Sequence, residues 1–436
     1  MPYIGTFAAA KIQYSGQVYD LWQSQVSGAF EPAARENGIG PWVNNVTLQI
    51  TSSTTCQVSV SIEAPYKEGI KLLESGLFTQ GNILAVRLGY SKSGFMTPWY
   101  SGIMAAPTVT LGTGGLSATL MAQGAGAESL IMGSGKTWGP CTRWKVIQEI
   151  ADKYKWVIMD PDGACEFQLD AWEWYNHSQA GEVDWMFIKN MLSEQGIDCA
   201  GVVDPESGKA ALKLSLRSAT FGSQPQRTFV AMGEFDLSKN QYPVFGFSSV
   251  SEPGMIFSSG AMKGVRLLSV DENGDEQDDS ATVDDLPDQS LGLWSMDQTG
   301  DATEIDWDTG LPNSTPPNSG GDDEGSGVIL ADSPTETGSD FVHSALQEGQ
   351  MGMVGAEVSI NVPGVPAMQV YELFELKGVS ALFNGKYMSK SVTHVVGTGG
   401  FETTIVGVRN ALGLSQKATT NQNTTDPVED GEAESE

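Results

Sequence analysis

Gly133-Ser134-Gly135-Lys136-Thr137 is the stretch whose residue types come closest to known chemistry. Small residues ahead of a lysine and a hydroxyl let backbone amides and an ammonium hold a phosphate. The full pattern asks for a glycine six residues before the lysine, where Leu130 stands, and for a preceding hydrophobic strand. No nucleotide site is expected. The three histidines, His177, His343 and His394, lie in different segments, and no local spacing builds a triad or a metal site. The chain has 54 Asp and Glu residues, enough for a paired acid and base of the glycosidase kind, but no spacing marks one. Asp271 to Asp279 lacks the ligand order of a calcium loop and reads as a solvated charge run. Trp172, Trp174 and Tyr175 have the surface to stack on a sugar, and equally to fill a core or a subunit contact. G-x-S-x-G, H-E-x-x-H and G-x-G-x-x-G are all absent from the sequence. The expectation is a protein that is not an enzyme and takes no cofactor or metal.

The elements around these residues are mostly strands. Val392, His394 and Val396 alternate with Ser391, Thr393 and Val395, and Thr403, Ile405 and Gly407 alternate with Thr404, Val406 and Val408. That is the period of half-buried strands, and Gly397-Thr398-Gly399-Gly400 closes them as a hairpin. His394 inside a valine strand is expected to be packed and hydrogen-bonded. Val58, Val60 and Ile62 alternate in the same way. Pro65 opens a helix with Tyr66, Ile70 and Leu73 on one face and Gly76 as its cap. A second helix over 143–155 carries Val146, Ile147, Ile150, Ala151 and Tyr154 on one stripe. A third, over 185–195, has Asp184 as its amide-accepting cap and Gly196 at its end. Residues 202–217 read as a hairpin around Asp204 to Gly208.

At 436 residues and 40% hydrophobic content the chain can build several cores. Its net charge of -30 repels nucleic acid. No run of about 18 apolar residues spans a membrane, and the N-terminus reads as neither a secretion nor an insertion signal. Cys56, Cys141, Cys165 and Cys199 have no zinc or disulfide spacing and are expected to be reduced and mostly buried. From 271 to 340 there are 20 acidic residues and no Lys, Arg or His. Such a segment cannot bury enough apolar surface to offset its ordering entropy, so it reads as an inserted acidic loop. Trp294 and Trp307 are the apolar points at which a partner could grip it.

Three of these motifs resemble one family, the phage tail hub proteins of the late control protein D type, which are themselves similar to the N-terminal half of the VgrG spikes of type VI secretion. The first is the meander with Gly378, Phe383, Gly385, Tyr387, Val392, His394, Gly400 and Thr403. The second is the helix followed by Phe78, Gly81, Gly89-Tyr90 and Gly102. The third is the helix from Asp184 to Gly196. The resemblance implies a mainly β, α+β chain with two antiparallel β-barrel tube-type domains around a small α/β middle domain. Its divisions are 1–115 for the first barrel, 116–222 for the middle domain, and 223–270 with 341–412 for the second barrel. The acidic insert covers 271–340 and an acidic tail 413–436.

By the same resemblance the chain is a virion component of the tail baseplate, made in the host cytoplasm, and forms a homotrimer. Six similar barrels let a threefold ring meet a sixfold tail tube on one side and a threefold central spike on the other. The partners implied are the tube protein, a separate spike protein and neighbouring baseplate proteins. DNA passes the bore without specific binding, and the many carboxylates suggest a negative lumen. Two other classes stay open on the residues alone, a carbohydrate-binding or adhesin-like β protein and a glycan or peptidoglycan hydrolase.

Overall fold

Alternation of apolar and polar residues decides most strand faces here, and sixteen of the strands merge into one large sheet. A computed structural model describes residues 42–250 and 356–409 with short gaps, and strands between 8 and 32 and between 264 and 327. The first half holds β1 (Ala8–Tyr14), β2 (Gln17–Gln23), β3 (Phe30–Pro32), β4 (Val43–Thr51), β5 (Gln57–Ala64), α1 (Tyr66–Glu74), β6 (Ile83–Tyr90), β7 (Tyr100–Met104), β8 (Thr108–Gly112) and β9 (Gly115–Gly124). The middle holds β10 (Thr137–Trp138), β11 (Cys141–Thr142), α2 (Arg143–Tyr154), β12 (Val157–Met159), α3 (Ala164–Asp170), β13 (Glu173–Trp174), β14 (His177–Ser178), α4 (Asp184–Ser193), β15 (Ile197–Val203) and β16 (Ala210–Leu216). Beyond it come β17 (Arg227–Val230), β18 (Gln241–Pro243), β19 (Gly246–Val250), β20 (Gly264–Val270), β21 (Glu276–Thr282), β22 (Ile305–Asp306), β23 (Leu311–Pro312) and β24 (Ser326–Gly327). The chain then returns through β25 (Ala356–Pro363), β26 (Leu373–Lys377), β27 (Gly385–Gly397) and β28 (Gly400–Arg409).

The fold is mainly β. Sixteen strands form one sheet in the order β18-β17-β26-β27-β4-β5-β9-β7-β6-β1-β2-β3, with β28, β25 and β19 leading off the other side of β27, and β8 paired to β9. β27 is the strand that joins the halves. Its first residues pair with β26 and its later ones with β4, from Ser391↔Thr51 to Val396↔Val46. The register against β28 shifts between Ser389 and Ser391, a bulge of the kind that bends a strand and lets it change partner.

One core lies beneath this sheet and includes Val58, Val60, Ile62, Leu48, Val392, Ile405 and Phe374, all fully or almost fully buried. Each such side chain contributes about 1.5–3 kcal/mol. A second core belongs to the middle helices and the sheet β12-β16-β15, with Trp185, Ile147, Ile150 and Leu212 inside. The stripe read for α2 is the buried one, and Thr142 caps this helix by accepting from the Lys145 amide.

Several expectations need adjusting. In α1 the buried residues are Gly69 and Leu72 and Tyr66 is exposed, because Gly69 sits directly over Leu116 of β9. The division drawn at residue 115 falls at the start of the strand β9, which pairs along its length with β5. The segment read as an acidic loop contains β21, antiparallel to β20, so Gly264–Val270 lies in its own small sheet with β21 and β24. A strand with three carboxylates among seven residues can still pair through its backbone, which composition does not report.

Candidate functional site

Some of the motif residues meet in two buried places, one around His394, Thr403 and Tyr90 and the other around Tyr387 and Phe383. On the inner face His394 of β27 stands opposite Thr403 of β28, and both are fully buried. The Val365 amide donates to Thr403 Oγ1 at 2.9 Å, and His394 Nδ1 lies 2.9 Å from the same oxygen. His394 Nε2 is 3.3 Å from the Met368 carbonyl, which can only accept. Nε2 therefore carries the proton, and Nδ1 accepts from the Thr403 hydroxyl. Burial pushes the imidazole down to about 4, so it is neutral at ordinary pH. Sealed from solvent, it anchors the chain between β25 and β26 and has no access to a substrate.

Tyr90, from the far half of the sequence, reaches the same place. Its hydroxyl donates to the Gly364 carbonyl at 3.0 Å, and its ring meets Phe401 edge-on at 5.2 Å. A Cβ at Gly364 would come within 2.0 Å of the Phe401 ring, so only glycine allows this approach.

The second convergence surrounds Tyr387. Its hydroxyl donates to the Phe383 carbonyl at 2.8 Å, and burial pushes it up to about 12. Arg409 lies over the Tyr387 ring at 4.7 Å and donates to the Asn384 carbonyl at 2.9 Å. Phe383 packs on Phe247 at 5.5 Å. Gly378, Gly385 and Gly400 all take positive φ at the turns that frame this meander.

In the first half Phe78 packs half-buried against the main core, Gly81 donates its amide to the Met104 carbonyl at 2.9 Å, and Gly89 lies buried in β6. Gly102 sits where β7 meets β9, and a Cβ there would lie 2.0 Å from the Gln123 carbonyl oxygen. Asp184 is the first residue of α4, and its carboxylate receives hydrogen bonds from Lys153, Tyr154 Oη at 2.7 Å and Gln179 Nε2 at 2.8 Å. Burial works to raise this carboxyl, but those three donors outweigh it and hold it below the usual range. Two of them come from α2, which no local pattern could reveal. Gly196, Trp294 and Trp307 lie outside the described residues.

Among the described residues the phosphate-loop reading finds no geometry, while Trp172, Tyr175 and His343 lie outside them. Lys136 is bound to Glu149 and lies over Trp138 at 4.8 Å, and Lys136–Thr137 runs into the strand β10 instead of opening a helix. Cys56 and Cys199 are pushed up to about 12 by burial, far from a reactive thiolate. Among the described residues no three His, Cys, Asp or Glu side chains gather as metal ligands, and no helix is long and apolar enough to cross a membrane. Sequence reasoning missed one charged cluster. Arg227 of β17 pairs with Glu372, and Lys213 of β16 donates to the Val370 carbonyl at 2.8 Å, tying the middle unit to the large sheet. Burial raises Glu372 and lowers Lys213, with Arg227 opposing the first shift.

On the outer face of the sheet one cross-strand row is continuous. Gln123, Gln57, Gln49, Thr393, Thr404 and Asn361 stand opposite one another in turn, across β9, β5, β4, β27, β28 and β25. The row crosses the join between the halves without a break, and Thr404 Oγ1 donates to Asn361 Oδ1 at 2.8 Å.

Two solved phage tail proteins share this fold. The 43 kDa tail protein of prophage MuSo2 from Shewanella oneidensis matches over 93% of this chain and 99% of its own, with a TM-score of 0.55 and 10% identity. The tail protein from Neisseria meningitidis MC58 matches over 92% of this chain and 97% of its own, with a TM-score of 0.52 and 8% identity. No known family profile and no curated protein matches the chain by sequence.

Proposed function

We propose that this chain is a structural hub of a phage tail baseplate, three copies of which form a ring between the tail tube and a central spike. The observation that carries the reading is the joined sheet. Eight strands, β25, β28, β27, β4, β5, β9, β7 and β6, lie side by side across both halves of the sequence. At about 4.8 Å per strand they span roughly 40 Å, and three such arcs enclose a ring roughly 35–40 Å across between backbones. With side chains inside, such a ring still admits a DNA duplex. Because each copy brings two sheet-forming halves, a threefold ring presents a near-sixfold rim to the tube. The fold shared with two tail proteins over nearly their whole length supports the same reading.

The action is mechanical: the ring holds the spike, releases it on contraction and leaves a passage for the genome. The carboxylate-rich segment 271–340 and its Trp294 and Trp307 serve as a contact for neighbouring baseplate proteins. Protection of that segment from hydrogen exchange should rise on assembly. The mass of the purified full-length chain in solution tests the central claim. Three copies are expected, and a chain that stays monomeric at all concentrations would overturn the proposal.

A further inference from the structure

The row from Gln123 to Asn361 carries no charge, and where it runs on into β7 and β6 the next side chains, Ile103 and Ile83, are exposed and uncharged too. The chain carries 54 acidic residues and a net charge of -30, yet all six side chains of this row are amides or hydroxyls. With 18% of the chain charged, about one charge is expected among six positions. In the adjacent rows on the same strands the charges lie at the margins. Glu63 is exposed near the end of β5, Glu402 stands in the next row between Val395 and Pro363, and Lys390 and Glu357 neutralise each other 3.2 Å apart at the other end. The neutral face extends across the β4–β27 join, where Thr51 and Ser391 lie 3.3 Å apart through their hydroxyls.

Resting on the hub reading, we infer that this face is the wall past which DNA slides, and that it works by being neutral and hydrated instead of by repulsion. A wall with cations would hold phosphates by releasing counterions, and a wall of carboxylates would raise an electrostatic barrier to a polyanion entering a narrow bore. Amides and hydroxyls do neither. They keep ordered water through which a phosphate backbone of any sequence can pass, and lateral bonds such as Thr404 to Asn361 occupy groups that could otherwise reach for it. On these strands Glu63, Glu357 and Glu402 stand toward the strand ends and away from the row, contrary to the negative lumen that composition alone suggests.

The test reads the local potential directly. In the full-length chain with Cys141→Ser, the half-buried native thiol is removed and Cys56, Cys165 and Cys199 remain buried. Gln57→Cys and Thr393→Cys then place single thiols on the face at two separate strands. The purified ring is treated with cationic and anionic thiol reagents of equal size at about 0.15 M salt, where only charges within about 8 Å are felt. Both sites should label, with the two rates within about threefold of each other, since potentials of several kT would separate them far more. A cationic preference of roughly tenfold or more would mean that carboxylates dominate the wall and would overturn the inference. Protection of both thiols in the ring would overturn it too, by placing the face between copies. A monomer in the same preparation would instead sink the hub reading, and the inference with it.

Discussion

His394 is the residue whose chemistry is most easily misread, because an imidazole in a strand invites a catalytic role. Its surroundings make it a pH-dependent brace. The folded chain keeps it neutral down to about 4, whereas in the unfolded chain it takes up a proton near the ordinary value of about 6.5. Protons therefore favour unfolding between those values. The stability this group contributes is complete above about 6.5 and falls as pH drops toward 4, by on the order of 3 kcal/mol in total. Thermal melts from pH 7 to pH 4 should fall more steeply for the native chain than for His394→Gln, which keeps a donor and an acceptor but does not titrate. Equal slopes would mean that His394 is not buried and neutral. Tyr90→Phe tests the same locus from the other half of the sequence. It leaves the Gly364 carbonyl without its 3.0 Å donor and should lower stability by about 1–2 kcal/mol in denaturant titration, with packing on Phe401 kept. No measurable change would mean that Tyr90 does not fasten the loop.

At the scale of elements the decisive contacts are close backbone approaches, and glycine substitutions distinguish them from turn strain. Gly102→Ala forces a Cβ to 2.0 Å from the Gln123 carbonyl and must part β7 from β9. Gly81→Ala meets no atom within 4 Å and strains only its own backbone at φ 91. The first should cost about 3 kcal/mol and the second about 1 kcal/mol. The reverse order in chemical denaturation would show that β7 and β9 are not in contact. The same elements show what the sequence could reveal. The alternation of β5, β27 and β28 was legible, because an antiparallel strand with one wet face writes its burial into every second residue. β9 was less legible, since small and hydroxyl residues such as Ala118, Thr119 and Ala122 weaken that contrast. The pairing of β4 with β27 joins residues some 340 positions apart, and no local pattern encodes it. Asp184 was found as a helix start, but its partners Lys153 and Tyr154 lie about thirty residues upstream and had to be seen. His394 and Thr403 were both legible as strand residues. Their shared duty toward Val365 and Met368 was not.

For the whole molecule the governing quantity is charge. The proposed ring brings together three chains of net charge -30 at a cost in repulsion that no neutral face removes, so such a ring must assemble through short-range packing against a long-range opposing field. Salt should then strengthen the trimer, the reverse of its effect on oligomers held by opposite charges. Between about 0.01 M and 0.1 M salt the screening length falls from about 30 Å to about 10 Å, removing repulsion between all but facing residues. Sedimentation equilibrium should show association tightening by tenfold or more over that range, on the order of 1.4 kcal/mol. The segment 271–340 contributes 20 of the negative charges and no positive ones, so replacing its Asp and Glu by Asn and Gln brings the net charge from -30 to -10. That variant should trimerise more tightly at low salt and lose most of the salt dependence. If its response to salt equals that of the native chain, the repulsion resides elsewhere. If salt weakens the native trimer, ion pairs hold the ring together, and a neutral interior face with acidic residues kept to the outside is the wrong picture of how charge is arranged in it.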